Sequence, residues 1–232
     1  MTSILILIPI HGREEVRNVA SYSLMESVEI AWTYKIIGTQ WQEESREGDT
    51  LGEKLNRALK LSSGFNWDYV MVLGSDDLLR PQTWGYIRTA INEELPAFGF
   101  NQAYLYDRIN HRAKIWNAGP STFGAGRCVR RDVAEKCEWR LWDSAKNNGI
   151  DNSQERILLG VGEPIHIIQT HIPVVCDIKD GDNLNSFDDV PGLPVNAQRV
   201  RELFPALSAW PLPRPMWVQT ATIETQGGGS NL

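Results

Sequence analysis

Residues 68–77 read DYVMVLGSDD, an apolar run that ends in a glycine, a serine and two carboxylates. The run has no polar alternation, which is typical of a strand buried on both faces of a parallel sheet. It stops abruptly at Gly74, and Asp76 and Asp77 follow at once. In an open α/β sheet, ligands bind at the carboxyl ends of the strands. We therefore expect a central strand over 68–73 whose end carries a binding site.

The segments before and after this run alternate between strand and helix patterns. Residues 3–10 (SILILIPI) and 32–38 are further strand-sized apolar runs, and helices are predicted over 14–30, 50–61 and 80–95. Asp49 or Thr50 is available to cap the second of these helices. Shorter elements follow, with strands predicted over 97–106, 113–116, 165–169 and 173–178 and helices over 130–137, 151–159 and 196–204. This order predicts the α/β class, as a three-layer α/β/α sandwich around a mostly parallel central sheet.

Composition excludes several classes of protein. The chain has 232 residues, of which 42% are hydrophobic and 22% are charged, as expected for one sizeable globular domain. Its net charge of −6 argues against a protein that covers nucleic acid or anionic membrane with its whole surface. No apolar run approaches the roughly 18 residues of a membrane span, and nothing resembles a secretory signal. The three cysteines form neither a CxxC motif nor a disulfide framework, so a cytoplasmic location is expected.

The chain divides into three predicted regions. Residues 1–204 form the main domain of the prediction, and residues 205–225, with four prolines up to Pro215, form an extended arm packed on it. Trp210 and Trp217 are the expected anchors of that arm. Residues 226–232 (QGGGSNL) are predicted to be a flexible tail.

The acidic pair Asp76–Asp77 is the strongest single indication of chemistry. Two adjacent carboxylates at the end of a buried strand are costly unless a cation or hydrogen-bond donors compensate them. A hard divalent ion, held by one or two carboxylates and by substrate phosphate oxygens, supplies that compensation. The alternative is structural, with both side chains capping the next helix and making a turn.

These features together resemble the nucleotide-sugar glycosyltransferases of the GT-A fold, in particular the inverting family-two enzymes and their small phage-encoded relatives. Four segments carry the resemblance: IPIHGR at 8–13, LGEKLN at 51–56, YVMVLGSDDLL at 69–79, and GAG at 124–126 followed by RRD at 130–132. It covers roughly residues 3–187, and its specificity lies in the order and spacing of these segments.

The resemblance implies a donor site for a nucleoside-diphosphate sugar, most simply a UDP-sugar. Asp77 would bind Mn²⁺ or Mg²⁺ at the donor diphosphate, while Asp76 would bind the ribose or share the metal. Other implied donor contacts are Pro9, His11, Arg13, Thr39, Gln40, Lys54, Asn56 and Ser75. Thr39 and Gln40 stand where the family has an acid, which leaves the base of the nucleotide open. Lys54 belongs equally well to a solvated helix face.

Inversion requires a base that deprotonates the acceptor hydroxyl. By resemblance Asp151 is the best match, Asp143 is second, and an N-cap is the structural alternative for Asp151. Late in the chain, Asp177 is a further candidate metal ligand and Lys179 a phosphate contact, and a surface turn is the alternative for both.

The acceptor side carries a basic segment. Between residues 106 and 131 six basic residues face one acid, a net charge of +5, which leaves −11 for the remainder. Such a segment favours an anionic acceptor. DNA containing 5-hydroxymethylpyrimidine is one candidate, with a flipped base stacked on Trp116, Phe123, Trp139 or Trp142. Ordinary ion pairs, with a carbohydrate or lipid-linked acceptor, are the alternative.

Two other classes of function stay open. A sugar nucleotidyltransferase shares the layered sheet and the acidic strand end, but it is expected to have a longer glycine-rich loop after the first strand. A catalytically silent nucleotide-sugar-binding module needs no base, so replacement of Asp151 would change nothing measurable in it. The sequence makes no prediction of oligomeric state.

Overall fold

The computed structural model describes residues 2–9, 34–36, 49–181 and 185–208, and for 34–36 it describes the backbone alone. The predicted helix over 14–30 and the candidate residues His11, Arg13, Thr39 and Gln40 lie outside this part of the chain.

Strands and helices alternate in the first half of the described chain. The strands are β1 Ile4–Leu7, β2 Tyr34–Ile36, β3 Tyr69–Val72, β4 Asp77–Leu79, β5 Ala97–Phe100, β6 Gln102–Asp107, β7 Arg112–Asn117, β8 Cys128–Arg130, β9 His166–Ile168, β10 Val175–Lys179 and β11 Leu193–Val195. The α-helices are α1 Leu51–Leu61, α2 Thr83–Asn92, α3 Arg131–Lys136, α4 Ile150–Gly160 and α5 Ala197–Leu203.

Six strands form the central sheet, in the order β2-β1-β3-β8-β5-β9. The pairs β1–β2, β1–β3 and β5–β9 are parallel, whereas β8 runs antiparallel to both of its neighbours. The sheet is therefore mostly parallel, as the sequence predicts.

Both faces of the central sheet are covered by apolar side chains. Ile4 and Ile6 of β1 belong to the core that α2 covers. Leu5 and Leu7 belong to the opposite core, which receives side chains from α1, α3 and α4. Every residue of β1 is buried, which explains why the strand shows no polar alternation. The predicted three-layer α/β/α sandwich is confirmed.

A second sheet, in the order β11-β7-β6-β10-β4, was not predicted. The prediction of one strand over 97–106 is wrong, because the chain changes sheets after Phe100 and pairs as β5 and β6 separately. The helix predicted over 80–95 begins later, at Thr83. Residues 77–79 instead pair with β10, and the Thr83 hydroxyl donates to the Val174 carbonyl at 3.1 Å.

Helix α5 covers the second sheet. The side chain of Asn196 caps it by accepting from the amides of Gln198 and Arg199 at 2.8 and 3.3 Å. Val200 and Phe204 pack on the sheet with Ala206, which lies in a 3₁₀ turn at Pro205–Leu207. The remainder of the predicted proline-rich arm and the predicted tail, from residue 209 onward, lie outside the described residues, so this division of the chain stays a prediction.

Candidate active site

The acidic pair lies where β3 ends and the short β4 begins. The amide of Gly74 donates to Asp77 Oδ2 at 2.6 Å. A Cβ atom added to Gly74 would lie 2.5 Å from Asp77 Oδ2 and 2.8 Å from Asp76 Oδ1. Both carboxylates therefore approach the same backbone position, which only glycine accommodates. Of the structural alternative, the turn is present at residues 75–76, but the helix cap is wrong, because Asp77 opens a strand and α2 begins six residues later.

Strand β10 brings a second acid and a lysine to this pair. Asp177 is the register partner of Asp77 in the antiparallel pair β4–β10, and the Ile178 amide donates to the Asp76 carbonyl at 2.9 Å. Lys179 is buried and lies 2.7 Å from Asp177 Oδ2. Asp177 and Lys179 are strand residues, so the surface-turn alternative for them is wrong.

The electrostatics of this cluster favour a cation. Burial raises the pKa of Asp77 well above its usual range, and Asp76 and Asp177 raise it further, against the Gly74 amide and Lys179. Burial lowers the pKa of Lys179, but the three carboxylates, led by Asp177, outweigh it and the net shift is upward. Three carboxylates thus surround one lysine, and a divalent cation with hard oxygen ligands would relieve their repulsion.

The part of the chain that the structure describes does not supply a complete coordination shell for such an ion. Within the described residues no group of three or more His, Cys, Asp or Glu side chains is arranged to hold a metal. The cluster fits the other common arrangement, in which one or two carboxylates bind the metal and substrate phosphates complete its shell.

Asp151 lies in the first turn of α4. The N-cap of that helix is Gly149, with φ of 62°, so the cap alternative for Asp151 is wrong. A Cβ atom on Gly124 would lie 2.1 Å from Asp151 Oδ1, so the carboxylate packs directly against the loop 119–126. The half-buried side chain therefore has a defined position beside that loop.

The loop 119–126 connects Asp151 to the end of β3. The Gly126 amide donates to the carbonyl of Val72, the last residue of β3, at 3.0 Å, and Gly124 contacts Asp151. The structure thus brings Asp151 and the acidic pair to the same edge of the central sheet, although 74 residues separate Asp77 from Asp151 in the sequence.

The side chains of Asn56 and Asp143 form hydrogen bonds with the main chain. The Asn56 amide donates to the Trp142 carbonyl at 2.7 Å and accepts from the Trp142 amide at 3.1 Å, which fixes the segment after Leu141 to α1. The Asp143 carboxylate accepts from the Ala145 amide at 3.0 Å and closes a turn. The predicted donor contact of Asn56 and the predicted catalytic role of Asp143 stay predictions, and neither enters the function proposed below.

The other described candidates have simple positions. Pro9 follows β1, Ser75 is buried between Gly74 and Asp76, and Lys54 is half-buried in the first turn of α1. Thr50 is the N-cap of that helix and accepts from the Glu53 amide at 3.1 Å, which confirms the predicted cap. The contacts of Pro9, Ser75 and Lys54 with a donor stay predictions.

The basic segment does not form a free cationic surface. Arg112 binds Asp107 and Asp188 at 2.7 and 3.0 Å, Arg130 binds Asp132 at 2.6 Å, and Lys114 donates to the carbonyls of Phe187 and Val190. Arg131 binds two main-chain carbonyls and Glu135, and Arg127 is buried. Arg108 has a partner as well. The alternative of internal pairing is therefore correct.

Of the four candidate stacking residues, Trp116 has the most suitable surroundings. Phe123 and Trp142 are only 4% and 3% exposed, and Trp139 packs edge-to-face on Trp67 under Arg131. Trp116 is half-buried and stacks on Phe123, with centroids 5.7 Å apart and ring planes at 29°. Phe123 immediately precedes Gly124, which contacts Asp151, so the loop 119–126 connects this pair of rings to the Asp151 carboxylate, while the rings themselves pack with the core that α2 covers. We call Trp116 and Phe123 the aromatic platform.

No family model and no curated protein matches this sequence. Among solved structures, residues 1–349 of Staphylococcus aureus TarS, a GT-A glycosyltransferase, match with a TM-score of 0.52 and 11% identity, over 77% of this chain and 60% of that one. The chain thus spans about three fifths of that TarS fragment, and the likeness shows the GT-A fold.

Two further structures match less closely. TarS 1–349 in complex with UDP-GlcNAc gives a TM-score of 0.48 at 11% identity, over 79% of this chain and 60% of that one. A mutant Drosophila β1,4-galactosyltransferase 7, in complex with manganese, UDP-Gal and xylobiose, gives 0.49 at 11% identity, over 87% and 74%. No helix among the described residues is long and apolar enough to cross a bilayer.

Proposed function

We propose that this protein is a metal-dependent inverting glycosyltransferase that transfers a sugar from a UDP-sugar to an acceptor hydroxyl. One observation carries the proposal: the acidic pair at the end of β3, of which Asp77 is buried, and Asp151 at the start of α4 lie at one edge of a GT-A sheet, joined by the loop 119–126. A donor and an acceptor bound at that edge would meet between the two groups of carboxylates.

The donor side is built from Asp77, Asp76 and Asp177. One or two of these carboxylates, Asp77 among them, would hold Mn²⁺ or Mg²⁺, which would stabilise the negative charge of the leaving diphosphate. Asp77 is oriented by the Gly74 amide, and Lys179 is held beside the cluster by Asp177. The lysine ammonium is thereby available to complement phosphate charge.

The chemical step is a single displacement. Asp151 accepts the proton of the acceptor hydroxyl, and the acceptor oxygen forms a bond to the anomeric carbon of the donor sugar. The bond between that carbon and the phosphate oxygen breaks, UDP leaves with the electron pair, and the anomeric configuration inverts. A cap role does not account for the Asp151 carboxylate, because Gly149 caps α4.

The acceptor side favours a carbohydrate hydroxyl. The aromatic platform is connected to Asp151 through the loop 119–126, and the flat ring of the half-buried Trp116 suits the apolar face of a pyranose ring. The basic residues that favoured a polyanion are paired within the chain. A 5-hydroxymethylpyrimidine in DNA is the second candidate acceptor, because Trp116 could stack a flipped base equally well.

A transfer assay tests the proposal. The full chain is incubated with Mn²⁺, a panel of UDP-, GDP- and dTDP-sugars, and either simple glycosides or duplex DNA that contains 5-hydroxymethylcytosine. Mass spectrometry should detect a glycoside one sugar heavier and free UDP, both abolished by a chelator. A sugar added to the DNA alone would select the second acceptor. Formation of UTP and a sugar 1-phosphate from the UDP-sugar, in a parallel reaction with added pyrophosphate, would indicate a nucleotidyltransferase. Binding of UDP-sugar without any product under all conditions would indicate a binding module.

A further inference from the structure

Arg127 is a charged side chain enclosed between the loop 119–126 and helix α4. It is only 1% exposed. Its Nε donates to Thr122 Oγ1 at 2.8 Å and its Nη2 donates to the Thr122 carbonyl. Its Nη1 donates to the Asp151 carbonyl at 2.8 Å and to Gln154 Oε1 at 3.0 Å. Burial of an ionised group is costly unless its donors are satisfied, and here four contacts on two elements satisfy them.

The two ends of this guanidinium reach the two parts of the proposed acceptor site. Thr122 directly precedes Phe123, on which Trp116 stacks. Asp151 is the proposed base, and its carboxylate packs on Gly124 of the same loop. A second bond, from the Ser121 hydroxyl to Glu155 Oε2 at 2.6 Å, joins the loop to α4 from the outside.

We propose that Arg127 is a positioning residue that sets Asp151 relative to the aromatic platform, and this role rests on the proposed function. Arg127 does not touch the substrate. A planar guanidinium with five donors binds Thr122 and Asp151 at a fixed separation, which a lysine ammonium does not reproduce. Displacement of a catalytic group by about 1 Å costs roughly 100-fold in rate, so loss of this fixed separation should slow transfer while the donor site is unchanged.

A double-mutant cycle tests this role. Transfer rate, acceptor KM and UDP affinity in the presence of Mn²⁺ are measured for Arg127→Lys, Asp151→Asn and the double variant. Arg127→Lys should lower the transfer rate about 10- to 100-fold and leave the Kd of UDP within about twofold of the wild-type value. The double variant should be no slower than Asp151→Asn within about twofold, because residues that act as a unit are not additive.

Arg131→Lys is the matched control. Arg131 also donates to main-chain carbonyls, those of Ser63 and Phe65, but its other contacts are with Glu135 and with the rings of Trp67 and Trp139. This variant should keep the transfer rate within about threefold of the wild type. In the double variant Arg131→Lys, Asp151→Asn, the rate loss should be the product of the two single losses, as it is for independent sites.

Several results would overturn the role of Arg127. A rate loss in Arg127→Lys that multiplies with that of Asp151→Asn, or that comes with a parallel loss of UDP affinity, would indicate a general structural role. If Arg127→Lys does not fold, Thr122→Val removes one acceptor alone and should show the same pattern at smaller size. If the wild type binds UDP and the Asp151→Asn variant transfers at the normal rate, Asp151 is not the base. Arg127 then has no base to position. A wild type that neither binds UDP nor transfers would overturn the proposed function itself.

Discussion

Asp77 and Asp177 lie directly opposite each other in the antiparallel pair β4–β10, although 100 residues separate them in the chain. Like charges in directly opposed positions destabilise a sheet. Asp76 adds a third carboxylate beside them, and Lys179 is the one basic group that the cluster's described contacts include. Such an arrangement is unfavourable for stability and favourable for binding a cation, as is common at functional sites.

Removal of one charge from this cluster should therefore lower the transfer activity without lowering the stability of the fold. Asp77→Asn preserves the acceptor for the Gly74 amide but removes a buried negative charge. We expect transfer to fall at least about 100-fold, the scale of losing one strong electrostatic contact, while the metal-free protein melts at the same temperature or higher. Asp132→Asn is the control, since it breaks an exposed pair with Arg130 and should slightly lower the melting temperature with transfer intact. A clear fall in the melting temperature of Asp77→Asn would contradict the electrostatic interpretation.

Gly74 should tolerate no side chain. In Gly74→Ala the new methyl group would meet the carboxylates of both Asp76 and Asp77 at under 3 Å, so they must move. We expect the affinity for UDP with Mn²⁺ to fall about tenfold or more, which corresponds to about 1.4 kcal/mol. In Gly85→Ala, within α2, nothing lies within 4 Å of the new atom. That control should bind UDP normally and gain about 0.5–1 kcal/mol of stability. Equal behaviour of the two variants would show that the Gly74 contact is unimportant.

Replacement of the two candidate bases should distinguish them. Asp151→Asn removes the proton acceptor that packs against Gly124, and transfer should slow by about 100- to 10,000-fold with UDP affinity retained. Asp143→Asn keeps an oxygen that can accept from the Ala145 amide, so it should cost less than about 1 kcal/mol of stability and little activity. Steady-state kinetics and urea unfolding measure both effects. The reverse order of activities would assign the base to Asp143.

Asp107 should make stability depend on pH in the acid range. Burial opposes its charge, but hydrogen bonds from Asn110 and Arg112 outweigh burial and lower its pKa. A carboxyl with a depressed folded pKa stabilises the fold above its unfolded pKa, and this stability is lost as the pH falls through the folded pKa. Asp107→Asn should therefore lose about 1–3 kcal/mol of unfolding free energy near neutral pH. Urea unfolding at about pH 7 and about pH 3 should show the difference from wild type shrinking in acid, and a constant difference would exclude the charge as its source.

The salt dependence of transfer should reveal the class of acceptor. Because the basic segment is paired internally, kcat/KM should change less than about threefold between about 50 and 200 mM salt, whereas 6–10 phosphate contacts would reduce affinity about 10³–10⁵-fold. Initial rates at both salt concentrations, with UDP affinity measured alongside, provide the test. A steep fall of kcat/KM with rising salt, at constant UDP affinity, would make DNA the favoured acceptor.

Much of the central sheet was predictable because its signals are local. The unbroken apolar runs of β1 and β3 identify strands buried on both faces, and Thr50 beside a helical pattern identifies a cap. The acidic end of β3 is visible in the same way. The short strand β4 has no such signal, because three residues show no period and its partner β10 is about 100 residues away.

Side-chain partners were harder to predict than elements. Asn56 belongs to a segment that resembles a donor pocket, yet it binds the main chain of Trp142, 86 residues away. The net charge of +5 between residues 106 and 131 is correct as a count, but it does not show that Arg112 meets Asp188 or that Arg127 is buried. The importance of Arg127 had no local signal, because its four contacts form only when α4 packs against the loop 119–126.

Calorimetric titration of the wild type and of Asp77→Asn with UDP, with and without Mn²⁺, examines the proposed donor site without knowledge of the sugar or the acceptor. The wild type should bind UDP in the presence of Mn²⁺ and at least about tenfold more weakly without it, a difference of about 1.4 kcal/mol, and Asp77→Asn should bind weakly in both cases. Equal affinity in all four titrations, or no binding by the wild type in either, would show that the acidic pair at the end of β3 is not a metal-dependent nucleotide site.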